Sequence, residues 1–293
     1  MKLHTNLVVD LNNVAFTIRR SEFKDPKPNK RKEAFARESI FKEVVSAILR
    51  FANKHRVDAI AIMCDSPNTW RKDLYPEYKA KDYVEDVYYD DTINAINLVK
   101  DFFKTCTNSR TYQVPKTEGD DLIAFMTLYS VGVNNLIMSS DTDFIQLLNE
   151  RTTLYSLPQK KFRTTEDAEY DLFFKCIRGD ANDNIFSAYP RVREAVLKSA
   201  WSDPYEMKAL METVRKDGKK VGDVYKFNKS LIDLRLQPTY ILQDILDEFD
   251  KPNESNFSEF KIIKFYADNF LKQFSNSLNQ LYRPLKGEVV FEM

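Results

Sequence analysis

The chain has 293 residues, of which 43% are hydrophobic and 30% charged, a composition typical of a water-soluble globular protein with room for two domains. Its 44 basic and 44 acidic side chains balance, and it contains only 2 histidines, 3 cysteines and 6 glycines. These numbers argue against histidine-based catalysis, a disulfide framework, a cysteine zinc site and a glycine-rich phosphate loop.

No apolar run approaches the roughly 18 residues that a membrane-spanning helix needs, and the N-terminus lacks the apolar core of a signal peptide. We therefore expect a cytoplasmic protein that does not bind a membrane.

The first half of the chain contains three short apolar runs that each lead into an aspartate. They are NLVVDL at 6–11, DAIAIMCD at 58–65 and NNLIMSSD at 134–141. Continuous apolar runs of this length are typical of strands buried on both faces of a parallel sheet. Helical spacing at 31–55, 92–103 and 121–130, with further strands at 111–114 and 152–156, completes a predicted α/β domain.

The second half, beyond about residue 168, has amphipathic segments and few candidate strands. The predicted fold is therefore α/β, with a mainly parallel central sheet flanked by helices and a mainly helical C-terminal region.

Acidic residues are expected to meet at one edge of this sheet. Asp10, Asp65 and Asp141 follow the three apolar strands, and ligands of open α/β sheets bind at the carboxyl ends of strands. Helix starts add four more acidic residues, which are Glu118, Asp120, Asp121 and Asp143. At any single position, stabilisation of a helix N-terminus explains the acid equally well.

Convergence favours a metal site. Six or more carboxylates in one cleft repel one another unless cations compensate them. Oxygen ligands without histidine or cysteine select Mg²⁺ or Mn²⁺, and a pair of such ions supports in-line phosphoryl displacement.

The turn GDANDN at 179–184 supplies Asp180 and Asp183 directly after an apolar run. Turn chemistry alone explains the Gly, Asp and Asn residues here, and a carboxylate pair directed at a cation is the alternative.

The connection at 66–91 mixes basic and aromatic side chains, which suits phosphate contact and base stacking. A solvated loop whose aromatics pack onto the domain is the alternative. The basic residues are Arg71, Lys72, Lys79 and Lys81, and the aromatic residues are Trp70, Tyr75, Tyr78 and Tyr83.

Several motifs in order along the chain resemble the flap endonuclease and 5′ exonuclease family, most closely its T-even phage ribonuclease H branch. They are VVDLNN, CDSPNTWRKDLYPEYKAKD, TEGDDLIA, SSDTDFIQLL, GDANDNI and NKSLIDL. The resemblance spans roughly residues 6–235. It implies a PIN-like catalytic domain at 1–167 with an arch or clamp at about 66–100, followed by a helical DNA-binding domain at 168–293.

The resemblance also implies roles for individual residues. Two Mg²⁺ ions are implied, with Mn²⁺ as a substitute. PEYKAK matches the family's P-E-Y-K pattern, so Lys79 would face the scissile phosphate and Arg71 would be a second phosphate ligand. Lys72, Tyr78 and Lys81 would contact nucleic acid. The first metal would bind Asp10, Asp65, Glu118, Asp120 and Asp141, with Asp121 close by and Asp120 and Asp141 central to catalysis; the second would bind Asp143, Asp180 and Asp183.

The region at about 176–200 departs from the family. The family's helix-hairpin-helix uses a G-x-G turn that holds a monovalent cation, whereas no glycine occurs here from Ala181 through Asp217. Without glycine, positive φ angles are difficult to reach, so we predict that this cation site is absent. Arg191, Arg193 and Lys198 are candidate phosphate contacts in its place, with a solvated helix face as the alternative.

The implied function is a Mg²⁺-dependent 5′ nuclease, of phage origin and monomeric, that acts on RNA/DNA hybrids and flapped or nicked duplex DNA. Primer removal would bring it into contact with replication proteins such as a single-strand-binding protein or a clamp. A structure-specific nucleic-acid-binding protein and a different metal-dependent phosphohydrolase stay open. A haloacid-dehalogenase-like phosphatase would need an aspartate two positions after Asp10, where Asn12 stands.

Overall fold

A computed structural model of the chain describes residues 3–23, 36–80, 86–269, 271, 283–291 and 293. Its centre is one sheet built from β1 Thr5–Asp10, β2 Ala59–Met63, β3 Arg110–Tyr112, β4 Asn134–Met138, β5 Thr152–Ser156 and β6 Lys161–Arg163. The strand order is β3-β2-β1-β4-β5-β6, and every neighbouring pair is parallel except β5 with β6. The predicted mainly parallel sheet is confirmed. Strand β6 was not predicted, because its three mostly exposed residues form no buried apolar run.

Helices flank this sheet and form most of the second half of the chain. The described α-helices are α1 Leu11–Glu22, α2 Ala36–Lys54, α3 Trp70–Leu74, α4 Tyr89–Cys106, α5 Gly119–Tyr129, α6 Ala168–Arg178, α7 Glu194–Ser202, α8 Pro204–Glu212, α9 Val221–Ile232, α10 Thr239–Phe249 and α11 Glu259–Asp268. Two 3₁₀ helices span Asp143–Leu147 and Arg283–Lys286. The sequence did not predict α1 or α10. Residues 89–100, included in the predicted arch, form the first part of α4.

Alternate residues of β1 point into two different cores, as expected for a strand covered on both faces. Leu7 and Val9 pack with α1, α2, α4 and α11 in one core, whereas Val8 packs with α5 and α10 in the other. The C-terminal helices α10 and α11 therefore return to the sheet. Helices α6 to α9, which come between β6 and α10 in the chain, share a core of their own. The predicted helical C-terminal region is confirmed.

The order of the strands places the site. Chain connections run outward from β1 in both directions, so the carboxyl ends of β1, β2 and β4 lie side by side at a topological switch point. Among the described residues, no helix combines the length and the apolar character needed to cross a membrane.

Candidate active site

The carboxyl ends of β1, β2 and β4 open into a polar cleft of about 400 Å³. Each apolar strand contributes an acid at or just beyond its end, and the start of α5 contributes two more. The acidic residues that line the cleft are Asp10, Asp65, Glu118, Asp120 and Asp141. The structure thus brings together the five residues predicted for the first metal, and Lys79 joins them from the connection before α4.

Asp10 is both the last residue of β1 and the cap of α1. Its Oδ1 accepts a hydrogen bond from the Asn13 amide at 3.2 Å, and its Oδ2 accepts one from Ser139 Oγ at 2.7 Å. Burial, with repulsion from Asp65 next, raises the pKa of Asp10 to about 7. Local capping and the acidic cleft therefore act on the same carboxyl.

The ionised forms of Asp65 and Asp120 are disfavoured in the same way as that of Asp10. Asp65 accepts hydrogen bonds from the Gly119 amide and from Asn12 Nδ2, both at 2.7 Å, yet burial still raises its pKa. Burial raises the pKa of Asp120 well above its usual value despite the attraction of Lys79, and repulsion from Asp141 and Asp10 adds to this. A cleft of this kind favours a bound cation.

Glu118 differs, because cationic groups surround it. It accepts hydrogen bonds from Lys79 Nζ at 2.5 Å, Arg71 Nη1 at 3.1 Å and the Tyr78 hydroxyl at 3.1 Å. Burial alone would raise the pKa of Glu118, but Lys79 and then Arg71 outweigh it, so that the pKa is lowered. Glu118 is therefore ionised and held at the edge of the cleft beside Lys79.

Three of the residues predicted for the site are buried in the structure. Arg71 is 2% exposed and binds Glu118, Asp121 and the Leu231 carbonyl, so its guanidinium is not available to a substrate phosphate. Asp121 is fully buried beneath the cleft, where Arg71 occupies its carboxylate. Tyr78 is 3% exposed and cannot stack on a base. The alternation of basic and aromatic residues could not distinguish a buried ion pair from an exposed binding loop.

We expect Arg71→Ala to lower the free energy of unfolding by roughly 3–5 kcal/mol, because Glu118 and Asp121 would lose a buried partner. Urea denaturation measures this, with Lys72→Ala as the control because Lys72 is the exposed neighbour on the same helix. An Arg71→Ala protein of wild-type stability with weakened DNA binding would instead restore the phosphate-ligand role.

Two of the three acids predicted for a second metal contact a lysine that the sequence did not single out. Lys175 of α6 contacts Asp143, and its Nζ lies 2.8 Å from Asp180 Oδ2. Burial, with repulsion from Asp141 next, raises the pKa of Asp143 to about 7 despite this lysine. Asp183 forms no ion pair with Lys175 and instead accepts a hydrogen bond from the Tyr78 hydroxyl at 3.2 Å.

The GDANDN turn is held by its own backbone and by the connection before α4. Gly179 has φ 72°, and a Cβ there would lie 2.3 Å from the Ile185 carbonyl oxygen, so glycine is required. Asp180 and Ile185 exchange two backbone hydrogen bonds of 2.9 and 2.8 Å. The Lys79 amide donates to the Asp183 carbonyl at 3.0 Å. The residues that form the turn therefore also position the two carboxylates, so the two explanations offered for this motif are compatible.

Supporting side chains at the cleft were also missed. Asn12 donates to Asp65, Ser139 donates to Asp10, and Asn13 accepts from Ser140. Arg20 lines the cleft from α1. The only signal for Asn12 and Asn13 was their position directly after the strand-ending Asp10.

The donor set fits a hard divalent cation, because it consists of carboxylate oxygens that repel one another. Across the described residues, no three Asp, Glu, His or Cys side chains are grouped closely enough to hold an ion as they stand. The ammonium groups of Lys79 and Lys175 lie among the acids and supply part of the compensating charge.

Asp10 should make the stability of the metal-free protein depend on pH. The folded protein keeps a proton on Asp10 up to about pH 7, whereas an ordinary aspartate loses it near 3.8. Between these values the folded state binds more protons, so stability falls as pH rises. We expect Asp10→Asn to become increasingly more stable than wild type from pH 4 to pH 7, with little further change above (about 7 being the folded pKa).

Thermal unfolding in EDTA, with and without added Mg²⁺, measures this effect. Mg²⁺ at pH 8 should raise the Tm of wild type more than that of Asp10→Asn, because ions that bind only the folded state stabilise it. A constant difference between the two proteins across the pH range would contradict the assignment.

The remaining predicted nucleic-acid contacts are exposed where they are described. Lys72, Arg191, Arg193 and Lys198 all face solvent, although Lys198 pairs with Glu194 at 3.0 Å. Lys81 lies outside the described residues. Positive φ does occur here without glycine, since Asn184 and Arg191 adopt φ of 61° and 62°. The absence of the cation site stays a prediction. Asparagine tolerates positive φ well, and Asn184 is the last residue of the GDANDN turn, whereas Arg191 lies beyond it.

Comparison with known proteins gives a family and a fold. The family model described as 5′-3′ exonuclease, N-terminal resolvase-like domain, matches residues 5–175, more than half of the chain. A DNA polymerase I of Chloroflexus aurantiacus is 30% identical over a region that covers 45% of this chain and 15% of the polymerase. The chain thus spans only a small part of that relative's length.

Solved structures with the same architecture come from T5 proteins. The T5 D15 protein co-crystallised with metal ions has a TM-score of 0.63 at 18% identity and covers 93% of this chain and 100% of its own. The bacteriophage T5 D15 flap endonuclease in complex with DNA and metal ions has a TM-score of 0.59 at 18% identity, with the same coverage. The PIN-like nuclease fold that the motifs implied is confirmed.

Proposed function

The chain belongs to the 5′-3′ exonuclease family whose N-terminal resolvase-like domain matches residues 5–175, and from this premise we propose a metal-dependent 5′ nuclease that acts on DNA with a 5′ end or flap. One observation carries the proposal. Acids from the ends of three parallel strands share a single cleft with those of α5 and with Lys79. The number of these acids and the raised pKa values of Asp10, Asp65 and Asp120 favour bound cations, and a pair of such ions supports phosphodiester hydrolysis.

The ions proposed are two Mg²⁺, which Mn²⁺ can replace. A first ion would be held by carboxylates from Asp10, Asp65, Glu118, Asp120 and Asp141, and a second by those from Asp143, Asp180 and Asp183. Bound ions would activate water and stabilise the charge that develops on the phosphate. The metal ions in the T5 structures support a metal cofactor, and the oxygen donors of this cleft are the reason for choosing Mg²⁺.

The protein's own groups would orient the substrate. Lys79 holds a positive charge against Glu118 at the cleft edge, which suits contact with the scissile phosphate. Asn12, Asn13 and Ser139 would keep the acids in place, because they satisfy carboxylate or hydroxyl partners across the switch point. Lys175 would keep Asp143 and Asp180 together.

The helical residues of the C-terminal half would bind the duplex beside the cleft. The DNA present in the T5 complex supports a DNA substrate, and the DNA polymerase I relative supports a role in replication. We extend the proposal to RNA/DNA hybrids and primer removal by a monomer in the cytoplasm. Replication proteins such as a single-strand-binding protein or a clamp would be its partners.

We expect duplex affinity to fall steeply with total salt but to be the same in K⁺ and Na⁺ at equal ionic strength. Replacing both Arg191 and Arg193 by alanine should flatten the salt slope by up to about 2, because each phosphate contact releases about one counterion. Arg50→Ala is the control, since Arg50 is an exposed arginine on α2. A K⁺ preference at fixed ionic strength would reveal a cation-binding hairpin.

Turnover of a labelled 5′-flap duplex with Mg²⁺ tests the function directly. Release of short 5′ products supports the proposal. Hydrolysis of a small phosphate monoester in place of the flap would indicate a different phosphohydrolase. Tight binding of the flap without any cleavage would indicate a structure-specific binding protein.

A further inference from the structure

A second cavity, of about 500 Å³, lies on the other side of the GDANDN turn. Asn182 of the turn lines the carboxylate cleft, whereas Ile185 and Phe186, which follow the turn, line this cavity. The backbone that places Asp180 and Asp183 is therefore a wall shared by both spaces. No part of the reaction described above uses this second cavity.

Three aromatic side chains surround it. Phe186 is 69% exposed and Phe227 is 38% exposed, and the ring of Tyr75 meets that of Phe227 edge-on at 5.5 Å. The Tyr75 hydroxyl donates to the Asn184 carbonyl at 3.1 Å, which fixes the ring against the turn. Flat, exposed aromatic surface of this kind is what single-stranded nucleic acids use for base stacking.

The cavity is lined by two basic and two acidic side chains, which are Arg215, Lys219, Asp217 and Asp223. Arg215 is fixed by a hydrogen bond to the Ser187 carbonyl at 3.1 Å and by Asp217 at 3.2 Å. Lys219 is exposed and forms no ion pair with any described residue. Because Arg215 is already paired with Asp217, Lys219 is the lining cation that can contact a phosphate group.

We propose that this cavity binds an unpaired nucleotide of the substrate's 5′ strand, with its base on Phe186 and its phosphate near Lys219. A base within a duplex is stacked on both sides, so only an unpaired base can enter a cavity and stack on a side chain. The inference rests on the proposed function, because it requires a substrate with a single-stranded 5′ segment.

Binding of two labelled DNAs in EDTA tests the proposal, one with a 5′ flap and one with a nick but no flap. Phe186→Ala should weaken flap binding on the order of tenfold, which corresponds to the loss of one base–aromatic stack, and should leave nicked-duplex binding unchanged. Phe186→Trp should retain flap affinity. Phe260→Ala is the control, since Phe260 is 73% exposed on α11 and does not line the cavity.

A flap of abasic nucleotides separates stacking from other contacts. The wild-type protein should bind the abasic flap as weakly as Phe186→Ala binds the normal flap. The affinity of Phe186→Ala should be the same for both flaps, because each change removes the same stacking contact. Three results would overturn the proposal. Phe186→Ala could weaken binding of flapped and nicked DNA equally, or it could leave flap binding unchanged. The affinity losses caused by Phe186→Ala and by the abasic flap could also add up when the two changes are combined. Failure of the proposed function would look different, because wild type would then cleave neither DNA in Mg²⁺.

Discussion

Cleavage of a 5′-flap duplex is expected to disappear in Asp120→Asn and Asp141→Asn proteins while DNA affinity stays close to that of wild type. Both residues line the carboxylate cleft, and each substitution removes a carboxylate that would hold a metal ion. Most of the affinity for DNA comes from phosphate contacts spread over the surface, which these substitutions leave intact.

Misfolding would not explain such a loss at Asp120. Burial and repulsion from Asp141 raise its pKa well above the usual value, so its ionised form destabilises the metal-free fold at neutral pH. Asparagine removes that charge, and we expect the Tm of Asp120→Asn in EDTA to be no lower than that of wild type. A stable, binding-competent and inactive protein is the predicted combination.

Single-turnover rates at saturating Mg²⁺ and fluorescence anisotropy in EDTA measure the two properties separately. Asp73→Asn is the matched control, because Asp73 is an exposed aspartate that pairs with Lys116 outside the cleft. Rates near wild type for both Asp120→Asn and Asp141→Asn would refute a metal site built on these acids.

The strand-ending acids could be predicted from sequence because two simple regularities combine. A short apolar run marks a buried parallel strand, and parallel strands place their carboxyl ends at one edge. Asp10, Asp65 and Asp141 needed nothing more. The strand order, which makes these three acids neighbours, came from the structure.

Residues that act through long-range contacts could not be predicted in this way. Lys175 lies within the apolar run LFFKCI, and its partner Asp143 is 32 residues away. Arg71 carries a positive charge in a connection rich in basic residues, but a carbonyl 160 residues later fixes its buried position. Composition describes such a segment, whereas burial depends on which distant helix covers it.

Local backbone geometry was a further feature that could not be predicted from the sequence. The absence of glycine from Ala181 through Asp217 was a sound reason to doubt positive φ, yet Asn184 adopts it. Hydrogen bonds from its side chain to the Glu77 carbonyl and from Tyr75 to its own carbonyl offset the cost of that conformation. The connection before α4 therefore shapes the turn, and the conformation of neither segment could be predicted without the other.

Lys79→Ala is expected to lower the single-turnover cleavage rate on the order of 100-fold or more, since a positive group near the reacting phosphate stabilises transition-state charge. Its Nζ lies 2.5 Å from Glu118 Oε1, at the edge of the carboxylate cleft. Although burial alone would lower the pKa of Lys79, Glu118 raises it, so the ammonium stays charged throughout the working pH range.

The substitution should act through the side chain alone. Lys79 has φ 52°, a strain that lysine and alanine share, and its amide keeps the hydrogen bond to the Asp183 carbonyl. Lys72→Ala is the control, because Lys72 is an exposed lysine seven residues earlier that does not line the cleft. Lys79→Arg, which keeps the charge, should recover part of the rate. Equal losses in Lys79→Ala and Lys72→Ala would mean that both lysines only attract DNA, and a specific role for Lys79 at the scissile phosphate would then be wrong.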